Sequence, residues 1–214
     1  QNELTPFNPQ SPYAISKLFS YWISKNYRDS YGMFVCNGIL FNHESERRGE
    51  TFVTRKITRG ISNIAYGKEK CLYLGNLDAK RDWGHAKDYV EMQWLMLQAK
   101  KADDYVISTG IHSDVRTFVE KSCKHIGVRL KWSGKGMSEK GIVVEVNNKK
   151  APKISVNQVI IKVEKRYYRP SEVNELLGDS SKARKKLGWK PKIKLDSLIS
   201  EMMDSDINIV KSKI

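Results

Sequence analysis

Two residues near the start of the chain, Tyr13 and Lys17, have side chains and a spacing that suit proton transfer. They stand four apart in the segment SPYAISK (residues 11 to 17), so on a helix they would share one face. An ammonium group beside a phenol favours the phenolate, which can accept a proton from a hydroxyl group that is being oxidised. The same spacing also describes an ordinary exposed tyrosine and lysine on a helix, and by itself it does not decide between the two.

The elements that position this pair follow an alternating pattern. Ser11 is a good N-cap and Pro12 suits the first turn, so we predict a helix from Pro12 to about Tyr31 that ends at Gly32. The apolar run MFVCNGILFN (33 to 42) is typical of a strand buried on both faces of a parallel sheet. Further helices are predicted at about 51 to 66, 86 to 100 and 114 to 125, with strands at 71 to 75, 105 to 109, 128 to 132 and 142 to 146, and a helical tail. This is the pattern of an α/β protein.

The formal net charge of +14 predicts an anionic partner. Nucleic acid, a membrane surface or a phosphorylated small molecule would each satisfy it, and the charge alone does not choose among them. The basic run KARKKLGWKPKIK (182 to 194) is interpreted as the solvated face of a helix followed by a turn.

Other compositional signals exclude several kinds of site. The three cysteines lie far apart and the four histidines form no H-E-x-x-H pattern, so we expect buried free thiols, no disulfide framework and no metal site. No apolar run reaches membrane-spanning length and the first residues lack the pattern of a signal peptide. We therefore expect a soluble, cytoplasmic chain with no membrane partner.

Four blocks in order along the chain carry a family resemblance. They are SPYAISK, NGILFNHESERRGETFVTRKI (37 to 57), LGNLDAKRDWGHAKDYV (74 to 90) and YYRPSEV (167 to 173). Together they resemble the GDP-mannose 4,6-dehydratase family of the extended short-chain dehydrogenase/reductase superfamily, over essentially the whole chain. SPYAISK indicates only the superfamily, whereas the second and third blocks are far more specific and resemble the dehydratases themselves.

The resemblance implies a fold and a division of the chain. The chain would comprise the C-terminal part of a doubly wound NAD(P)-binding Rossmann domain and a smaller α/β substrate domain. Rossmann elements are expected at about 1–45 and near 79–110, interleaved with substrate-domain elements at about 46–78 and 111–214.

The reaction implied by the resemblance is the conversion of GDP-mannose to GDP-4-keto-6-deoxymannose, on the route to GDP-fucose and related deoxyhexoses. The sugar is oxidised at C4 with NADP, water is eliminated across C5 and C6, and the hydride returns to C6. Tyr13 would take the proton of the C4 hydroxyl, while Lys17 would favour the phenolate and bond the nicotinamide ribose. No metal is needed in this scheme.

The resemblance also assigns binding residues. Asn42 would contact the GDP-sugar, and His43 and Arg48 would contact NADP, as would Tyr13 and Lys17. The loop of Arg47 and Arg48 would also join subunits of a homo-oligomer, a dimer or tetramer. The remaining substrate-binding residues would be Lys56, Arg81, Arg169 and Glu172.

The sequence departs from the family pattern at its beginning. It has no glycine-rich G-x-x-G-x-x-G turn to cradle a pyrophosphate, and no upstream Ser/Thr and Glu segment to supply the base at C5. We therefore expect this chain to be inactive alone and the native polypeptide to extend upstream by something over about a hundred residues.

Two classes of function remain open at this point. One is the dehydratase itself, acting as part of a longer chain and with no nucleic-acid partner. The alternative is a non-catalytic truncated homologue that serves as a structural or nucleic-acid-binding subunit. Retention of Tyr13, Lys17, His43 and Arg81 favours the enzyme.

Overall fold

The structure of the chain, a computed structural model, describes residues 1–168, 173 and 175–214. Helices and strands alternate along it. The helices are α1 (Pro12–Tyr31), α2 (Val53–Ala65), α3 (Ala86–Leu97), α4 (Val115–His125), α5 (Ser181–Leu187) and α6 (Leu195–Lys211). The strands are β1 (Asn37–Leu40), β2 (Asn42–Glu44), β3 (Leu72–Leu74), β4 (Lys80–His85), β5 (Asp104–Ile107), β6 (His112–Asp114), β7 (Val128–Ser133), β8 (Lys140–Val146) and β9 (Val159–Val163).

Both ends of α1 are set by the residues that the sequence indicates. The Ser11 hydroxyl accepts a hydrogen bond from the Ala14 N–H at 3.1 Å, and Pro12 occupies the first turn. At the other end, Gly32 adopts φ 64°, a left-handed conformation that glycine tolerates, and its N–H donates to the Arg28 carbonyl. The boundaries predicted for this helix are confirmed.

The residues group into two compact units. The first contains residues 1–43, 81–112 and 175–194, and the second contains 44–80, 113–174 and 195–214. The segment 175–194, which we expected in the substrate domain, lies in the first unit because α5 packs against β5. Assigning the units to cofactor and substrate stays a prediction.

In the first unit, β1 and β5 pair in parallel, with Asn37 opposite Asp104 and Leu40 opposite Ile107. Arg28 of α1 donates to both carboxylate oxygens of Asp104, at 2.8 and 2.9 Å, and therefore ties the helix to this strand pair. A buried apolar cluster fills this unit: Tyr89, Met92, Met96, Tyr105, Ile107, Ala183 and Trp189.

The continuous strand predicted for residues 33 to 42 is wrong in extent and in burial. Strand geometry covers only Asn37–Leu40, and these residues are half-buried or exposed. A strand needs a hydrogen-bonded partner, and β5 runs only from Asp104 to Ile107, so pairing stops at Leu40. The chain then continues through Phe41 into the separate strand β2.

The second unit contains a four-stranded sheet in the order β3-β9-β8-β7. β3 is parallel to β9, and the other two neighbouring pairs are antiparallel. Helices α2, α4 and α6 pack against one another, while α2 also contacts β3 and α4 contacts β7. Ile57, Ile61 and Ile64 recur at helical spacing and form the buried stripe of α2.

A buried ion pair joins α2 to α6 within this unit. The Arg55 Nε lies 2.9 Å from Asp206 Oδ1, and the Thr58 hydroxyl donates to Asp206 Oδ2 at 2.6 Å. The side chains of Arg55 and Asp206 are 8% and 1% exposed. Because the two buried charges pair with each other, each regains part of the favourable interaction with water that it lost on burial.

Two further findings bear on the sequence expectations. All three cysteines are free, but only Cys123 is fully buried, whereas Cys36 and Cys71 are half-buried. Burial raises the pKa of the Cys123 thiol, so this cysteine is unreactive. In the part of the chain that the structure describes, no helix is both long and apolar enough to cross a membrane.

Candidate functional site

Tyr13 and Lys17 stand together on the first two turns of α1. The Lys17 Nζ lies 5.5 Å from the centroid of the Tyr13 ring. The Tyr13 side chain is 70% exposed, and Lys17 is exposed as well. The structure therefore places a phenol and an ammonium group on one accessible face of the helix.

Asn42, His43 and Arg81, which are distant in sequence, lie on adjacent strands. The three strands β2, β4 and β6 form a sheet in that order, and β2 carries Asn42 and His43 while β4 carries Arg81. The His43 Nδ1 lies 3.0 Å from the Phe41 carbonyl, and the ring stacks on Tyr89 with centroids 5.1 Å apart. These two contacts hold the imidazole ring in one orientation.

The position of β4 is secured by Asp82, a residue to which the sequence analysis gave no role. Asp82 is fully buried. Its Oδ1 accepts from the N–H and the hydroxyl of Thr109 at 2.9 and 2.6 Å, and its Oδ2 accepts from the Gly110 N–H at 2.9 Å. Because Asp82 directly follows Arg81, these bonds hold the backbone from which the Arg81 side chain projects.

The neighbouring arginines of the SERRGE segment have different surroundings. The Arg48 Nε lies 3.0 Å from Glu44 Oε2, and its guanidinium stacks 3.6 Å from the Phe52 ring centroid. Burial raises the pKa of the Glu44 carboxyl, although Thr54 and Arg48 favour its charged form. Arg47, in contrast, has a side chain that is 90% exposed. The pair is thus one anchored and one accessible guanidinium.

Lys56 lines a pocket within the second unit. This pocket has a volume of about 340 Å³ and lies among α2, β3 and the segment of Arg166 and Tyr167. The Lys56 Nζ lies 3.1 Å from the centroid of the Tyr167 ring. Burial, and then the positive charge of Arg166, lower the pKa of Lys56 to about 8.

Gly75, in the LGNLD segment, allows the pocket wall to form. A Cβ at this position would lie 2.3 Å from the Tyr167 carbonyl oxygen, closer than any side chain can approach a backbone atom. The end of β3 can therefore reach the Tyr167 backbone only because residue 75 is glycine. The ring of the same tyrosine lies over the Lys56 ammonium.

The structure thus brings the predicted residues into two groups. The first unit holds Tyr13, Lys17, Asn42, His43 and Arg81, and the second holds Arg48 and Lys56. Arg169 and Glu172 lie outside the described residues.

Sequence reasoning missed Arg59 and Tyr167 in the pocket of Lys56. Arg59 could have been found, since it lies three residues after Lys56 on a predicted helix and so on the same face. Tyr167 begins the YYRPSEV block, but nothing in the sequence placed it beside Lys56, because its position depends on the pairing of β3 with β9.

One family model and several curated proteins match nearly the whole chain. A family model described as GDP-mannose 4,6 dehydratase matches residues 1–202. GDP-mannose 4,6-dehydratase from Vibrio cholerae is 58% identical over 211 residues, which cover 99% of this chain and 57% of that protein. The GDP-mannose 4,6 dehydratase of Homo sapiens is 50% identical over 212 residues, covering 99% of this chain and 54% of its own. The chain therefore spans a little over half the length of the curated relatives it matches.

Solved structures share the fold at low sequence identity. RMD from Pseudomonas aeruginosa, complexed with NADPH, aligns with a TM-score of 0.74 and 20% identity, covering 96% of this chain and 59% of its own. dTDP-glucose 4,6-dehydratase from Bacillus anthracis, in complex with NAD, aligns with a TM-score of 0.71 and 18% identity, covering 95% of this chain and 54% of its own. UDP-glucose 4-epimerase from Thermotoga maritima, with UDP-glucose, aligns with a TM-score of 0.69 and 19% identity, covering 95% of this chain and 55% of its own. The predicted α/β class with parallel strand pairs is confirmed.

Proposed function

Because the chain belongs to the GDP-mannose 4,6-dehydratase family, we propose that the protein of which it forms part converts GDP-mannose to GDP-4-keto-6-deoxymannose. The observation that carries this proposal is the 58% identity to the Vibrio cholerae dehydratase across 99% of the chain. The reaction releases water and leaves the sugar with no net change of redox state, so the enzyme is a hydro-lyase.

In this proposal the cofactor is NADP, which would supply reversible hydride acceptance and would be held by Tyr13, Lys17, His43 and Arg48. Tyr13, as phenolate, accepts the proton of the C4 hydroxyl. Lys17 stabilises that phenolate through its positive charge and donates to the nicotinamide ribose. The exposure of both side chains on one face of α1 supports these roles.

The other predicted contacts are divided between the GDP-sugar and the cofactor. Asn42 would hydrogen-bond the GDP-sugar and His43 the cofactor. Arg48 pairs with Glu44 through Nε, so its terminal nitrogens can still donate to a cofactor phosphate. Lys56, Arg81 and Arg169 would bind the diphosphate, and Glu172 would close the sugar-nucleotide pocket.

Substitution of Arg81 tests the proposed diphosphate contact. In the complete protein, Arg81→Ala should weaken binding of both GDP and GDP-mannose by about one to two decades, because a charge-assisted bond to phosphate contributes roughly 1.5 to 3 kcal/mol. Competition calorimetry with GDP measures both constants.

Lys192→Ala is the control for that experiment. The Lys192 ammonium binds Glu91 at 2.6 Å on the surface, and its side chain is 61% exposed. Its loss should leave GDP binding nearly unchanged. Equal weakening by both substitutions would contradict a discrete pocket and indicate a diffuse basic surface instead.

The lowered pKa of Lys56 predicts that GDP binding depends on pH. Its pKa of about 8 means that the charged form, which can pair with phosphate, is lost as the pH rises through that value. Affinity for GDP should therefore fall by about tenfold from pH 7 to pH 9. Lys56→Met should bind GDP weakly at both values and abolish this difference.

Deprotonation of Lys56 should stabilise the folded protein, although it weakens GDP binding. A lysine whose pKa is lower in the folded state than in the unfolded chain opposes folding while it is charged, and this opposition is relieved between about pH 8 and the ordinary pKa of 10.5. Weaker GDP binding at pH 9 accompanied by a matching loss of thermal stability would contradict the assignment to Lys56.

We further propose that the protein forms a homo-oligomer through the Arg47 and Arg48 loop. The 90% exposure of the Arg47 side chain leaves it available to a second subunit. Arg47→Glu should lower the mass measured by light scattering, and an unchanged mass would argue against this interface.

A cytoplasmic location is proposed on the state of the cysteines. Cys36, Cys71 and Cys123 are all free, as is usual where thiols are kept reduced. Fractionation of cells that express the complete protein tests it, and recovery from an oxidising compartment would oppose it.

The fold by itself does not determine which nucleotide is bound. Proteins named for dTDP-glucose and UDP-glucose share this fold at 18% and 19% identity. Preference for a guanine nucleotide must therefore come from particular side chains.

A further inference from the structure

A further pocket lies where three helices of the second unit end, and we call it the helix-end pocket. Tyr66 follows α2, His125 ends α4 and Lys211 ends α6, and all three line it. None of its lining residues also lines the pocket of Lys56, and none takes part in the proposed dehydratase reaction. Its volume is about 250 Å³, whereas drug-sized ligands occupy about 300 to 1,000 Å³. The helix-end pocket therefore suits a ligand smaller than a nucleotide sugar.

Lysine ammonium groups give the helix-end pocket a positive charge. Lys150 is already engaged, because it donates to the His125 carbonyl at 3.2 Å. The Lys211 Nζ lies 5.8 Å from the centroid of the Tyr66 ring. Within the described residues, no carboxylate forms an ion pair with Lys149 or Lys211. These two ammonium groups are available to an anion, and a phosphate has the oxygen acceptors that they need.

The ends of the helices do not by themselves account for Lys149 and Lys211. A cation near the last turn offsets the negative end of a helix dipole and can bind the last carbonyls. At α4 this part is taken by Lys150. At α6 it is taken by Lys68, whose ammonium donates to two backbone carbonyls at 3.2 and 3.3 Å. Lys149 and Lys211 are therefore additional to the cations that these helix ends use.

The helix-end pocket also contains acceptors that a bare phosphate does not need. Asp204, Asn208 and Lys211 recur on α6 at positions i, i+4 and i+7, so they share one face. The His125 Nε2 lies 2.7 Å from Asp204 Oδ1, which holds the carboxylate and leaves Oδ2 for a ligand. A carboxylate repels phosphate oxygens but accepts hydrogen bonds from hydroxyl groups, and the Asn208 amide can do both. The ligand that fits combines an anionic group with hydroxyl groups.

Apolar surface completes the lining. Ile126 is fully buried, while Tyr66 and Ile207 are half-buried. Ligand pockets commonly combine such surface with a few polar groups that fix the orientation of the ligand. A sugar ring presents C–H groups on its faces and hydroxyl groups around its edge, so it matches both parts of this lining.

We propose that the helix-end pocket binds a phosphorylated monosaccharide. Lys149 and Lys211 bind the phosphate, while Asp204 and Asn208 accept hydrogen bonds from the sugar hydroxyl groups. This site goes beyond the dehydratase function proposed above and does not depend on it, because the two pockets share no residue.

The test measures binding to the complete protein by calorimetry, with and without saturating GDP. The probes are mannose 6-phosphate, glucose 6-phosphate, inorganic phosphate and free mannose. At least one hexose phosphate should bind more tightly than inorganic phosphate, and free mannose should bind most weakly. Binding of the hexose phosphate should persist when GDP is present. Its loss would show that the probe had entered the substrate pocket, and would overturn the proposal.

Replacement of the two lysines tests the phosphate contact. Lys149→Met and Lys211→Met should each weaken the hexose phosphate and inorganic phosphate about tenfold, because each removes a charge-assisted hydrogen bond. Lys131→Met is the control, since Lys131 is an exposed lysine of β7 that does not line the pocket. It should leave both affinities unchanged, and the melting temperature of each variant shows whether it is folded.

Replacement of Asp204 tests the hydroxyl contact. Asp204→Ala should weaken the hexose phosphate but not inorganic phosphate, so that the ratio of the two affinities falls towards one. Asp196→Ala is the matched control, because Asp196 lies on the same helix and pairs with Lys121 outside the pocket. The side chains of Asp204 and Asp196 are 65% and 73% exposed. The control should keep the wild-type ratio.

Three results would overturn the proposal even if the complete protein converts GDP-mannose. The first is that neither hexose phosphate binds more tightly than inorganic phosphate. The second is that folded Lys149→Met and Lys211→Met keep the wild-type affinity for the hexose phosphate. The third is that Asp204→Ala leaves the ratio of the two affinities unchanged.

Discussion

Replacing Tyr13 by phenylalanine in the complete enzyme is expected to lower kcat by about two orders of magnitude or more, the contribution typical of a positioned acid or base. The change removes the hydroxyl and keeps the ring, so the packing of α1 should persist. Affinity for GDP-mannose should change little, because Tyr13 acts on a proton that moves only during the reaction. Steady-state kinetics and equilibrium binding together measure this separation.

Tyr31→Phe provides a matched control for this substitution. Tyr31 lies on the same helix, and its side chain is 71% exposed, compared with 70% for Tyr13. The control should retain wild-type kcat. Near-normal turnover in Tyr13→Phe would remove Tyr13 as the proton acceptor, whatever the state of the rest of the site.

Asp82→Ala should cause the largest loss of stability among these substitutions. It removes a buried carboxylate and leaves the N–H groups of Thr109 and Gly110 without their acceptor. Leaving a buried hydrogen-bond donor without its acceptor typically costs about 1 to 3 kcal/mol for each group. Denaturant unfolding of the complete protein should show a lower midpoint.

Asp78→Ala is the control, because it shows how much stability is lost when an exposed aspartate is removed. Asp78 pairs with Arg116 at 2.7 Å, but its side chain is 77% exposed. Exposed ion pairs contribute about 0 to 1 kcal/mol, so this variant should unfold almost as the wild type does. If the two variants unfold at the same denaturant concentration, Asp82 does not anchor β4.

The longer elements could be predicted because their signals are local. α1 has an N-cap, a proline in its first turn and a glycine at its end, and each makes the contact that its type suggests. Asp114 caps α4 in the same way, accepting from the Thr117 N–H. Such features depend on residues a few positions apart, which a sequence displays directly.

The short strands could not be predicted in this way. β4 and β6 lie in segments without alternating apolar residues, and they exist because β4 pairs with strands from distant parts of the chain. The same dependence shortened the strand expected at 33 to 42, which ends with its partner β5. Partner length is a tertiary property that the pattern of one segment does not contain.

In the candidate site, too, tertiary contacts that the sequence does not display decide the surroundings of single residues. Arg55 and Lys56 are adjacent cations in the same motif, yet Arg55 is buried against Asp206 while Lys56 faces the pocket. Resemblance to the family separated them, whereas charge alone did not. The ion pair of Arg55 depends on α6, which begins about 140 residues later in the chain.

Isotopic labelling tests the proposed dehydratase reaction most directly. GDP-mannose carrying deuterium at C4 would be incubated with the complete protein and NADP, and the product examined by mass spectrometry and NMR. The account predicts loss of one water and appearance of the deuterium at C6 of the 4-keto sugar. A product that has lost no water, or one whose deuterium has gone to solvent, would contradict it.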